Sequence, residues 1–167
     1  MAVAKRELGR TGLEVTTLGY GAMELRGAPR ARDITEAQAE TILNKVLDAG
    51  INYIDTSIDY GLSEERIGRY ISHRRTEYHL ASKCGCLVGA PPTPRGQRGQ
   101  HVFTRDNVVA GVEQSLVRMK TDYLTSCSST PRHPGRPWKS RALSRHSWSS
   151  ERPVRCGSSA CPARCLT

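Results

Sequence analysis

Asp55, Tyr60 and Lys83 form a set of side chains that could deliver a proton to a carbonyl oxygen. Asp55 closes the apolar run Ile51-Asn52-Tyr53-Ile54, Tyr60 lies in a turn over residues 57–61, and Lys83 follows the run Tyr78-His79-Leu80-Ala81-Ser82. A phenol has an ordinary pKa of about 10 and is a poor proton donor at neutral pH. A neighbouring ammonium favours the phenolate, and a carboxylate beyond the ammonium keeps it charged and oriented. Such a trio is a tuned general acid, able to protonate a carbonyl oxygen as hydride reaches carbon. Taken singly, each residue has a plainer reading: Asp55 as a turn cap, Tyr60 as strand-end packing, Lys83 as a solvated lysine. The joint spacing favours chemistry.

These residues need elements that bring strand ends together. Residues 5–16 predict a hairpin around the turn Gly9-Arg10-Thr11-Gly12. Residues 17–21 predict a short strand. Residues 34–49 predict a helix: Thr35 and Gln38 form a capping box, Ala39, Ile42, Leu43, Val46 and Leu47 recur on one face, and Gly50 suits the position after its end. A strand over 51–55 follows. A second helix is capped by Ser63 and buries Ile67, Tyr70 and Ile71; a strand over 78–82 comes next. Residues 84–103 are a Gly-, Pro- and Arg-rich loop, read equally as an active-site cover or a disordered insertion. Thr104 caps a third helix carrying Val108, Val112, Leu116 and Met119, and residues 121–124 begin a fourth strand. The order hairpin, β, α, β, α, β predicts an α/β fold with a parallel sheet. In such a fold the C-terminal strand ends open on one face, where active sites are built.

The sequence resembles the aldo-keto reductase family over roughly residues 5–124. The resemblance is carried by Leu8-Gly9-Arg10-Thr11-Gly12-Leu13-Glu14-Val15, Leu18-Gly19-Tyr20-Gly21-Ala22-Met23, Asp55-Thr56-Ser57, Asp59-Tyr60-Gly61, Ser63-Glu64 and Ala81-Ser82-Lys83. It implies a (β/α)8 TIM barrel that binds NADPH and reduces a small-molecule carbonyl substrate, an aldehyde or ketone, to an alcohol. It also implies that Asp55, Tyr60 and Lys83 are catalytic, and that Gly21, Ala22, Met23 and Asp55 approach the cofactor. A histidine completes the family's catalytic set. His133 and His146 are not in matching contexts. Noncatalytic channel-binding subunits also occur in this family.

Length limits the barrel. The chain has 167 residues, and a full (β/α)8 barrel takes about 250. The expectation is a partial barrel over residues 1–124, with the hairpin and about three and a half β/α units. Residues 125–167 change character, rich in Ser, Arg and Pro, and the expectation is a disordered basic tail. Residues 1–124 hold 17 Lys and Arg against 15 Asp and Glu; residues 125–167 hold 8 against 1, so the net charge of +9 is mostly the tail's.

The genetic code is compatible with one cause of the change. Residues 125–130, TSCSST, can be encoded ACC TCC TGC AGC TCC ACC. One G placed in front regroups this as GAC CTC CTG CAG CTC CAC, or Asp-Leu-Leu-Gln-Leu-His. That restores the strand which the resemblance implies, with its histidine. The expectation is therefore a lost base after the Leu124 codon, an out-of-frame tail and an inactive truncated chain. The alternative is a non-enzymatic fragment whose basic tail binds nucleic acid or an acidic partner; nucleic acid is the less favoured partner.

Of six cysteines, none forms C-x-x-C, and no metal site is expected. An irregular zinc or redox cluster of Cys156, Cys161 and Cys165, with or without His146, is the weakest reading. No membrane-spanning apolar run and no apolar signal core in MAVAKRELGR point to a cytoplasmic setting. Oligomeric state is not encoded in any pattern here.

Overall fold

A computed structural model describes residues 2–90, 97 and 99–129 of the chain. The expectations for residues 130–167, including the disordered basic tail, its partners and the cysteine cluster, lie outside these described residues. Strands β1 (Lys5–Glu7) and β2 (Glu14–Thr16) pair antiparallel, with Arg6 opposite Val15. Asn52 fixes this hairpin beneath the fold. Its side-chain amide donates to the Glu14 carbonyl at 2.9 Å, and its amide oxygen accepts the Thr16 N–H at 2.7 Å.

The remaining strands make one parallel sheet in chain order: β3 (Tyr20–Gly21), β4 (Tyr53–Asp55), β5 (His79–Cys84) and β6 (Ser126–Ser129). The helical crossovers are α1 (Glu36–Asp48), α2 (Ser63–Tyr70) and α3 (Arg105–Met119). The α/β architecture expected from the sequence is present. Thr35 and Gln38 form the expected capping box of α1, and the Thr104 side chain caps α3 by accepting the Asn107 N–H. Strand pleating puts alternate residues on opposite faces. Ile54 and Leu80 face the helices and are fully buried with Leu43, Ile67, Ile71 and Met119. Their neighbours Asp55 and Lys83 lie on the other side, at the C-terminal ends.

The structure departs from the sequence reading at several points. Residue 17 belongs to the hairpin, because its N–H donates to the Ala4 carbonyl, so β3 keeps only two residues. The Ser63 hydroxyl does not cap α2; it donates to the Ala22 carbonyl at 2.8 Å and leaves the helix without a side-chain cap. Lys83 lies inside β5 rather than just past it.

The fourth strand does not begin at Thr121. Lys120 ends α3 in the left-handed conformation, and Arg75 donates to Thr121 Oγ1 and the Tyr123 carbonyl, holding that stretch as a loop. β6 follows in residues 126–129, within the segment expected to be disordered, and pairs with β5 from Ala81–Ser126 to Cys84–Ser129. Backbone pairing needs no apolar side chain, which is why a serine-rich segment can fill the position.

The two ends of the loop over residues 85–103 are tied together. The Val102 N–H donates to the Gly85 carbonyl at 2.7 Å, and the Asn107 amide donates to the Cys86 and Val102 carbonyls. Among the described residues no helix is long and apolar enough to cross a membrane, and no group of three metal-binding side chains occurs.

Candidate active site

Asp55 closes β4 and Lys83 lies near the end of the adjacent β5, so register alone brings them to the same rim. The Lys83 ammonium donates to Asp55 Oδ2 at 2.7 Å and to the Thr56 carbonyl at 2.7 Å. The lysine side chain is 15% exposed and the aspartate 42%, so the pair is sheltered on one side and open on the other. The same ammonium lies 4.8 Å from the centre of the Tyr60 ring. The structure thus brings together the three residues nominated from sequence.

The Tyr60 turn is fixed by its neighbours. The Tyr60 N–H donates to the Ser57 carbonyl, and the Leu62 N–H donates to the Arg26 carbonyl. Gly61 has φ +46°, and a Cβ there would lie 2.6 Å from the Arg26 carbonyl oxygen. Only glycine fits that combination. The Arg26 guanidinium in turn lies 4.6 Å from the Tyr60 ring centre. A hydroxyl relay from Thr56 through Ser63 to the Ala22 carbonyl ties the segment after β3 to the start of α2.

The residues assigned to a nicotinamide cofactor differ in their placement. Gly21 lies opposite Asp55 in the sheet, and a Cβ built on it would meet nothing within 4 Å. Met23 is 47% exposed. Gly21, Met23 and the Asp55 carboxylate therefore share an accessible surface at this rim. Ala22 is fully buried and its carbonyl is occupied by Ser63, so its side chain is not on that surface.

The sequence reading missed Arg26, Arg30 and Arg118, which line a cleft of about 490 Å³ beside the Tyr60 turn with Asp59, Cys86 and Gln100. No spacing rule marks an isolated loop arginine, so no signal was available for them.

Cys84 directly follows Lys83 in the chain, and Cys86 lines the cleft. A hydrogen bond from Cys127 pulls the Cys84 thiol down to about 7, while burial pushes the Cys86 thiol up. Titration of thiolate absorbance should show a thiol ionising near neutrality, and Cys127→Ala should move it toward higher pH. An unchanged titration in that variant would remove Cys127 as the cause.

The family model for aldo/keto reductases matches residues 17–127. The chain belongs to the aldo/keto reductase family. It is 33% identical over 126 residues to the uncharacterized oxidoreductase YqkF of Bacillus subtilis (strain 168), covering 72% of this chain and 36% of that protein. It is 32% identical over 124 residues to L-galactose dehydrogenase of Arabidopsis thaliana, covering 71% and 35%. Among solved structures, the holo form of the aldo-keto reductase AKR11C1 from Bacillus halodurans superposes with a TM-score of 0.62 at 32% identity, over 76% of this chain and 40% of that one. The chain therefore spans about a third of the length of these curated relatives.

Proposed function

We propose that the chain carries part of the (β/α)8 barrel of an NADP(H)-dependent oxidoreductase that reduces an aldehyde or ketone to an alcohol. The observation that carries this reading is the Lys83 ammonium, bonded to Asp55 and the Thr56 carbonyl and set beside the Tyr60 ring. Tyr60 gives its proton to the carbonyl oxygen. Lys83 stabilises the phenolate that this leaves, and Asp55 with the Thr56 carbonyl holds the lysine in place. NADPH, when bound, supplies the hydride; Gly21, Met23 and Asp55 hold its nicotinamide end.

In this reading the chain, which spans about a third of its curated relatives, does not turn over by itself, and a base lost after the Leu124 codon puts its residues from Thr125 onward out of frame. The coding DNA should first be resequenced across codons 118 to 135. The gene should then be expressed as it stands and with one G inserted after the Leu124 codon, and NADPH oxidation followed with aldehydes and ketones. The present chain should show no turnover. The frame-restored protein should, and Tyr60→Phe should lower its rate by roughly 10²–10⁴-fold. Turnover that survives Tyr60→Phe would exclude Tyr60 as the acid, and turnover by the present chain would exclude the inactive reading.

A further inference from the structure

The cleft beside Tyr60 is walled by three guanidinium groups whose partners are unequal. Arg30 is paired with Asp59, its Nη1 lying 3.2 and 3.1 Å from the two carboxylate oxygens. Arg118 donates to Glu64 Oε2 and to the Ile58 carbonyl, each at 3.3 Å. Arg26 forms no ion pair among the described residues; its Nε donates to the Met23 carbonyl at 3.1 Å. Its two terminal amino groups make no hydrogen bond within the described residues, although the side chain is partly buried and lines the cleft.

Burial, followed by the charge of Arg30, pulls the Arg26 pKa below its ordinary value; the charges of Tyr60, Asp59 and Glu24 oppose this without pairing. A partly dehydrated guanidinium with free donors and a like-charged neighbour is a ready receptor for an oxyanion, which its planar fork can hold through two parallel bonds. Tyr60 itself does not wall the cleft, but both its chain neighbours do, and its ring lies 4.6 Å from the Arg26 guanidinium. A carboxylate held by Arg26 would therefore stand close to a carbonyl presented to Tyr60.

Building on the proposed role of Tyr60, we infer that Arg26 is a specificity-determining residue and that the carbonyl substrate is a short oxo acid, its carboxylate held by the Arg26 guanidinium. Substrates of this class place the carbonyl one or two bonds from the carboxylate.

Calorimetric binding to the full chain tests this, with 2-oxobutanoate compared against 2-oxobutanamide, which matches its shape without its charge. The acid should bind at least roughly tenfold more tightly than the amide, the scale of one charge-assisted contact. Arg26→Met should erase the preference, Arg26→Lys should keep part of it, and Tyr60→Phe should leave it intact. The last variant separates this inference from the catalytic reading, since the preference can hold where the role of Tyr60 fails. Circular dichroism establishes that each variant is folded. Equal binding of acid and amide, binding of neither, or a preference that Arg26→Met does not change would overturn the inference. So would a loss of NADP+ or inorganic pyrophosphate binding in Arg26→Met with no effect on the oxo acid, because the anion would then belong to the cofactor.

Discussion

Gly68→Ala should destabilise the fold by about 2 kcal/mol, although alanine is the better helix former. Gly68 lies inside α2, where α3 crosses it. A Cβ there would overlap the Arg118 carbonyl oxygen and lie 2.7 Å from Met119 Cα. Both are backbone atoms, so no rotamer change relieves the overlap and the two helices must separate. Propensity alone would favour alanine by about 1 kcal/mol, and overpacking of a closed contact costs roughly 1–3 kcal/mol or more. The contact should win. Gly21→Ala provides the control: Gly21 has φ −86° and open space where its Cβ would go, so its unfolding free energy should shift by no more than about 0.5 kcal/mol. Urea unfolding followed by circular dichroism measures both. Equal effects at the two positions would mean that helix packing is not what requires Gly68.

The helices were legible because their signals are local. α1 has its capping box, its apolar stripe and its terminal glycine within a single stretch, and all three correspond to contacts in the structure. The Ser63 cap failed for a reason beyond its own window. Its hydroxyl is claimed by the Ala22 carbonyl, 41 positions away, and sequence spacing cannot show that competition. β3 was overestimated in the same way, since the first residue of the expected strand is drawn into pairing with Ala4. β6 was invisible because its pattern is polar, and strand pairing there is a property of the backbone and of the neighbouring β5.

The acid and amine were legible because each lies at the end of an apolar run, and the phenol because it lies in the turn that follows one; parallel strands align their ends. What surrounds them was not. Lys83 is held as much by the Thr56 carbonyl as by Asp55, and a carbonyl leaves no mark on residue identity. Arg26 reaches Tyr60 from the segment after β3, and Gly61 accommodates the Arg26 backbone. Both facts depend on how two loops pack, which single-residue patterns do not encode. The sequence thus pointed to the acid, phenol and amine more readily than to the loop arginines that pack around them.

Arg66→Met should lower stability by about 4 kcal/mol, because this one side chain ties the segment after β3 to two helices. Its residue is 5% exposed. It donates to Glu36 Oε1 at 2.9 and 2.8 Å, to the Leu25 carbonyl at 2.9 Å and to the Ile34 carbonyl at 3.0 Å. Glu36 keeps Arg69 and Tyr70 when Arg66 is removed, so the lost ion pair is the smaller part. The larger part is two carbonyls left without a donor, each costing about 1–3 kcal/mol if buried. Arg66→Lys should recover little, since an ammonium cannot span all three acceptors.

Acid should narrow the gap between wild type and Arg66→Met. The Tyr70 hydroxyl first, and Arg66 next, hold the Glu36 carboxyl below its ordinary range. A depressed carboxyl contributes stability above its unfolded value of about 4.3 and loses it as pH falls through the lower folded value. With Arg66 gone that depression shrinks, so the variant has less to lose between about pH 6 and pH 3. Urea unfolding at those two values measures the change. A gap of the same size at both would show that Arg66 acts through the carbonyls alone and that its bond to Glu36 adds nothing to stability.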